Sequence, residues 1–272
     1  MIQEYSEYLL NASSISVEFG DCFRGIQFDE RTQAIEVFVL QALDMCSSHC
    51  RASALLLQSD YVGETAIVLR SIEELLFDIR WILEPKDRKE RLERVYQLEA
   101  DPYARWDKET GIIGKQISPS VGDKMRGPID DIAKRYTYLL DANPDGSTTF
   151  KKAPSLAARM GEPLRARYYH IYCYSSLFAH PTPFTKSLYL KTSNSPERRS
   201  AAFEESHKQF IAYSLLFVEL IIGFVEETLG AFSVSNKAQR DSLYVKMVEI
   251  VKSANKNYFQ MRPDINANER LA

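Results

Sequence analysis

Apolar residues recur along this chain at three- and four-residue spacing, the period of an amphipathic helix, and the periodic stretches break at glycine and proline. Residues 2–19 form the first stretch, with Tyr5, Tyr8, Leu9, Ile15 and Val17 on the apolar side and Gly20 at the end. Asp29 then stands where a side-chain oxygen can cap a long helix in which Ile35, Phe38, Val39, Ala42, Leu43 and Cys46 stay in phase. After a break at Tyr61-Val62-Gly63 comes ETAIVLRSIEELLFDIRWILEP, which Pro85 terminates because proline has no N–H to continue the ladder. The run from Lys86 to Lys108 predicts a charged, surface-lying helix with Leu92, Val95, Tyr96 and Leu98 along its inner stripe. Pro128 suits the first turn of a further helix reaching Leu140, and NPDGSTTF at 143–150 reads as a turn-rich loop.

Glu162 to Ala179 predicts another helix, halted by His180-Pro181-Thr182-Pro183. Ser187 to Lys191 reads as a brief extended segment, too short to build a sheet. A helix starting at Pro196 runs to Leu229, Gly230 closes it, and a last amphipathic helix covers Asn236 to Ala254. Long helices with short breaks bury their stripes against one another, so the expected fold is all-α, a multi-helix bundle of about seven to eight helices. Residues 1–256 are expected to form a single domain and 257–272 a weakly ordered tail.

Composition supports a folded chain and removes several function classes. Hydrophobic residues make up 45% of the 272, enough for a core of this size. Lys and Arg number 34 against 37 Asp and Glu, so no net field draws the whole molecule to nucleic acid or an anionic membrane. Cys22, Cys46, Cys50 and Cys173 are irregularly spaced and no secretory leader pattern is found, which points to reduced thiols and a cytoplasmic location. Cys46 and Cys50 flank His49, but no second ligand pair accompanies them, so core packing is expected rather than a metal, and no cofactor motif appears. The segment FIAYSLLFVELIIGFV at 210–225 is too short to span a bilayer and carries Glu219. It is expected to be a buried helix or a homodimer face, with no membrane association.

Two helices carry polar residues in apolar surroundings. On the first, Val68, Ile72, Leu75, Ile79 and Ile82 line one face and Ala66, Arg70, Glu73, Phe77 and Trp81 another, so Arg70, Glu73 and Glu74 sit on a helix with two apolar sides. Arg70 and Glu74, four apart, can pair along the helix, with Glu73 also in reach. Such a pair either fixes register or lines a pocket in which the guanidinium binds phosphate or carboxylate and a glutamate takes a proton. On the second, Tyr172, Ser176 and His180 project at four-residue spacing, with Arg165 and Tyr169 on a similar line. His180 falls at the helix end, where the dipole favours its protonated form, and either caps the helix or serves a site. Ser176 and His180 lack a nucleophile elbow and an orienting aspartate, which argues against a serine hydrolase.

The run LRSIEELLFDIRWILEPKDR together with the later SSLFAHPT resembles, over residues 30–230, a bacterial helical-bundle family of unknown function. Its pattern pairs Arg-x-x-x-Glu with Ser-x-x-x-His-Pro, matched here by Arg70, Glu74, Ser176, His180 and Pro181. More distantly the chain is similar to HEPN helical bundles, several of which are metal-independent ribonucleases with an Arg, four to six residues and a His. Arg165 and His170 fit that spacing. The resemblance implies a HEPN-like core and a ribonuclease or nucleotide-binding protein in a toxin or phage-defence setting, with RNA or a nucleotide as partner. In such a site the arginine stabilises the charge on phosphorus while the histidine moves the 2′-hydroxyl proton. The competing expectation is a non-enzymatic scaffold or partner-binding module with a buried polar network. The two separate on whether the polar stripes meet in a solvent-reaching pocket or inside the core.

Overall fold

A computed structural model describes residues 4–116, 118–179 and 201–255, apart from the side chains of residues 113, 115, 162–164, 166–170, 177–179 and 201–203. The expected all-α bundle is found. Its helices are α1 (Glu4–Asp21), α2 (Ala34–Gln58), α3 (Val62–Leu83), α4 (Arg88–Gln116), α5 (Pro119–Arg135), α6 (Leu156–Ala179), α7 (Ala201–Leu229) and α8 (Lys237–Ala254). The contacts divide the chain into two compact units, one comprising residues up to Arg80 and from Met160 onward, the other Trp81–Arg159.

In the first unit α1 packs on α2, α2 on α7, and α8 on both α1 and α7. The pattern of α2 explains its place: Ile35, Val39, Ala42, Leu43, Cys46, Cys50, Ala54 and Leu57 recur on one side and are all buried. Asp29 acts one turn earlier than expected. Its carboxylate accepts the N–H groups of Arg31 and Thr32, capping a turn that leads into α2 at Ala34. The helix α7 is buried at every position from Phe210 to Ile222, Glu219 included. Of the two expectations for 210–225, a buried helix is what the structure shows over 210–222, while Gly223 and Phe224 are half-buried. No helix among the described residues is long and apolar enough to cross a membrane.

Cys46 and Cys50 are fully buried, and burial pushes both thiols up, the second to about 12, so they pack as neutral side chains. Among the described residues no three His, Cys, Asp or Glu side chains are grouped to hold a metal ion.

The second unit pairs α4 with α5 around Ala100, Ala104, Ile129, Leu139 and Phe150. Two expectations are corrected here. The helix assigned to Pro128 starts instead at Pro119, which takes the early position after an extended Ser118, and Pro128 lies inside α5. Residues 140–150 form an antiparallel hairpin rather than a simple loop, with β1 (Leu140–Ala142) paired to β2 (Thr148–Phe150). Gly146 turns the chain at φ 82°, a conformation for which glycine has no steric penalty. Lys151, just beyond β2, donates to Glu93 on α4 at 2.6 Å and to Asp141 on β1 at 2.9 Å, tying the hairpin to the helix.

The crossing of α4 and α5 depends on two glycines. A Cβ on Gly122 would lie 2.7 Å from the Gly114 Cα, whereas one on Gly111 would meet nothing within 4 Å. Gly122→Ala is therefore expected to destabilise this unit by about 1–3 kcal/mol through overpacking. Gly111→Ala is expected to be neutral or to stabilise by up to about 1 kcal/mol. Thermal unfolding of the two variants checks the order, and a higher Tm for Gly122→Ala would contradict the crossing geometry.

Candidate functional site

The polar residues of α3 stand on a helix enclosed on more than one side. Leu69, Ile72, Leu76 and Ile79 are buried along one stripe, and Ala66, Glu73 and Phe77 along another. Arg70 and Glu74 lie at the margin, their side chains 18% and 39% exposed, while Glu73 is 0% exposed. Helical spacing brings Arg70 Nε to Glu74 Oε1 at 2.8 Å, as the four-residue separation predicts.

The second polar helix, α6, comes to meet it. Arg70 Nη2 donates to the Tyr172 hydroxyl at 2.5 Å, and the guanidinium carbon lies 4.6 Å from the centre of the Tyr172 ring. One turn further along both helices, Ser175 Oγ lies 3.1 Å from Glu73 Oε2 and 2.9 Å from the Tyr172 carbonyl oxygen. The two stripes thus converge across a separation of 102 residues. On another side of α6 the Tyr174 hydroxyl lies 3.1 Å from His207 Nδ1 on α7. Polar pairs therefore hold α6 to two helices.

Electrostatics separates these groups. Burial pushes Glu73 up to about 8; the Ser175 hydrogen bond and then Arg70 pull the other way, and Glu74 adds a smaller upward push. Burial dominates, so Glu73 is mainly a neutral acid at pH 7. Proton counting agrees with this. The single Ser175 hydroxyl proton has two acceptors, so both contacts are filled when Glu73 donates its own proton to Ser175 Oγ and Ser175 donates to the Tyr172 carbonyl. With an ionised Glu73, one contact has no proton. Glu73 Oε1 is buried with no hydrogen-bond partner among the described residues, which also favours the uncharged form. Burial pushes His207 down to about 4, against a smaller opposing contribution from the Val62 backbone, and raises the Tyr174 hydroxyl.

Of the residues expected to form a site, Arg70 and Glu74 are joined to each other and, through Arg70, to α6. Ser176 lies on α6 next to this joint, but its hydroxyl donates back to the Tyr172 carbonyl at 2.7 Å, a bond within its own helix. Arg165 is exposed on α6. The side chain of His170, together with His180 and Pro181, lies outside the described residues, as does the extended segment expected at 187–191. Ser175, Tyr174 and His207 escaped the sequence reading. Ser175 was legible in part, since it shares the three-or-four spacing from Tyr172 with Ser176, whereas nothing local marks His207 as a partner of α6.

Residues 36–198 match the model of a family described as a family of unknown function (DUF5677). Comparison with curated proteins and with solved structures finds no match.

Proposed function

The chain belongs to this family of unknown function, and on that premise we propose that it is a helical partner-binding module in which the α3–α6 joint is architectural. The joint sets the register of α6, and the outward side of that helix, which includes Arg165, is offered to a partner. The observation that carries this reading is the commitment of the polar groups to one another. Glu73 and Ser175 are both 0% exposed and in mutual contact, and two of the five guanidinium N–H donors of Arg70 go to Glu74 and Tyr172. Groups withdrawn from solvent in this way fix a structure more readily than they approach a substrate.

A second reading rests on the exposure of Arg165 and the position of His170 five residues later on the same helix. Here α6 carries a HEPN-like, metal-independent ribonuclease pair, and the α3–α6 joint positions it. Against it stands Ala166, where the HEPN motif usually has a polar residue after the arginine. Incubation with labelled RNA in EDTA separates the two readings. The binding-module reading expects intact RNA. Cleavage by the wild type that is lost in both Arg165→Ala and His170→Ala/His180→Ala would replace it with the ribonuclease reading.

A further inference from the structure

Helix α6 has two features of a part that can move. Its N-terminal end contains Gly161 at φ 66° and ψ 163°, backbone that is essentially restricted to glycine, and this interrupts the regular helix. Beyond that point α6 hydrogen-bonds to its neighbours through Arg70 with Tyr172, Glu73 with Ser175, and Tyr174 with His207, beside the buried Ile171 and the Tyr174 ring against Phe210. The helix α7 is buried at every position from Phe210 to Ile222, mainly by apolar side chains. Apolar packing is indifferent to pH. The Glu73–Ser175 contact is not, because it needs one proton more than an ionised carboxylate supplies.

We propose that Glu73 works helix α6 as a proton-controlled latch, docked on α3 while the carboxyl holds its proton and released when the proton leaves. The inference rests on the reading of the α3–α6 joint as the element that fixes α6. Ionising Glu73 places a charge on two buried oxygens, one of which has no partner among the described residues, and takes away the proton that satisfies Ser175 and the Tyr172 carbonyl together. The charged groups acting on Glu73 are Arg70 and Glu74 on its own helix, and its neighbour from α6 is Ser175. Arg70 hydrogen-bonds to Glu74 and Tyr172 rather than to Glu73, and its pull on Glu73 is outweighed by burial.

The sign follows from proton linkage. Docked Glu73 titrates near 8 and the released side chain returns to the ordinary 4.5. Between those values the released form sheds its proton while the docked form keeps it, so docking weakens as pH rises, by about tenfold per unit, and stops weakening above the docked value. Ionisation of His207 acts in the opposite sense, over a window from its ordinary 6.5 down to about 4, and dies away within about one pH unit above 6.5. From pH 6.5 to pH 8.5 the latch weakens docking by about 25-fold, against about twofold in the opposite sense from His207.

Hydrogen exchange of the full chain tests this, at pH 6.5 and 8.5 with exchange times scaled to equal intrinsic rates. In the wild type, amides of residues 171–176 are expected to lose about tenfold to 25-fold in protection at the higher pH while those of 210–222 keep theirs. Glu73→Gln, which cannot ionise, is expected to hold α6 to within about twofold at both. Equal protection of the wild-type helix at the two pH values, or the same loss in Glu73→Gln, would overturn the latch. Should Glu73→Gln not fold, infrared titration of the wild type decides. A protonated-carboxyl band must fade in step with the loss of protection, and its absence at pH 6.5 overturns the proposal. Arg70→Ala at pH 6.5 distinguishes the two levels of inference. No loosening of α6 in that variant refutes the joint itself, whereas loosening without any pH effect in the wild type refutes only the latch.

Discussion

Replacing Arg240 with alanine is expected to destabilise the protein by about 2–4 kcal/mol, from the loss of several charge-assisted hydrogen bonds and a buried side chain, with Glu226 at 34% exposure partly rescued by water. Arg240 is the largest of the fully buried side chains, with 1% exposure. Its Nε and Nη2 engage both oxygens of Glu226 on α7, at 2.5 and 3.2 Å, and its guanidinium carbon lies 5.2 Å from the Phe23 ring centre. Two further donors reach the carbonyls of Gly230 and Ser233 in the turn after α7 ends at Leu229. Carbonyls at a helix end have no intrahelical partner, so one side chain of α8 satisfies the end of α7 and neutralises the carboxylate there. Alanine removes both functions at once. Lysine keeps the charge but lacks the planar fork, and is expected to recover only part of the loss. Urea unfolding followed by circular dichroism measures the difference. A loss below about 1 kcal/mol in Arg240→Ala would place the residue among ordinary surface charges.

Arg240 also shows where sequence reasoning reaches its limit. Periodicity located its helix, Asn236 to Ala254, within a residue of the observed Lys237–Ala254, because three-to-four spacing is a property of the segment itself. Nothing in that segment marks this arginine as buried, since its partners Glu226, Gly230 and Ser233 are brought to it by the turn between α7 and α8. The hairpin at 140–150 was missed for a different reason. Each strand has three residues, too few for alternation to be read, and the Asn-Pro-Asp-Gly turn dominates the signal. Of two prolines that could open α5, the pattern favoured Pro128, whereas the helix opens at Pro119 after an extended Ser118, so that Gly122 packs on Gly114 from within it.

The candidate site divides in the same way. Arg70 with Glu74 was legible because the pair lies on one helix, and geometry alone brings the two side chains together. The requirement that Glu73 find a partner was also legible, from the apolar residues around it. That the partner would be Ser175 on α6 was not, because pairing between helices depends on their relative rotation, which period does not report. Ser176 has the same spacing from Tyr172 as a site residue would, yet serine inside a helix readily returns its hydroxyl to the carbonyl four residues back.

The joint itself yields the second large effect. Arg70→Ala removes charge-assisted hydrogen bonds to Glu74 and Tyr172 and the stacking on the Tyr172 ring, for an expected loss of about 2–3 kcal/mol. Most of that loss comes from Tyr172, because Glu74 is 39% exposed and water can replace part of its pairing. Tyr172→Phe keeps the ring under the guanidinium and deletes only the hydroxyl, so it isolates the Arg70–Tyr172 bond from the Glu73–Ser175 contact between the same two helices.

The most direct test is therefore a double-mutant cycle on Arg70→Ala and Tyr172→Phe, read as unfolding free energies in urea. If the polar stripes of α3 and α6 meet as described, the two substitutions are coupled by about 1–3 kcal/mol and the double variant is hardly less stable than Arg70→Ala alone. Strict additivity, with coupling below about 0.3 kcal/mol, would show that Arg70 and Tyr172 do not hold the helices together and would contradict the account.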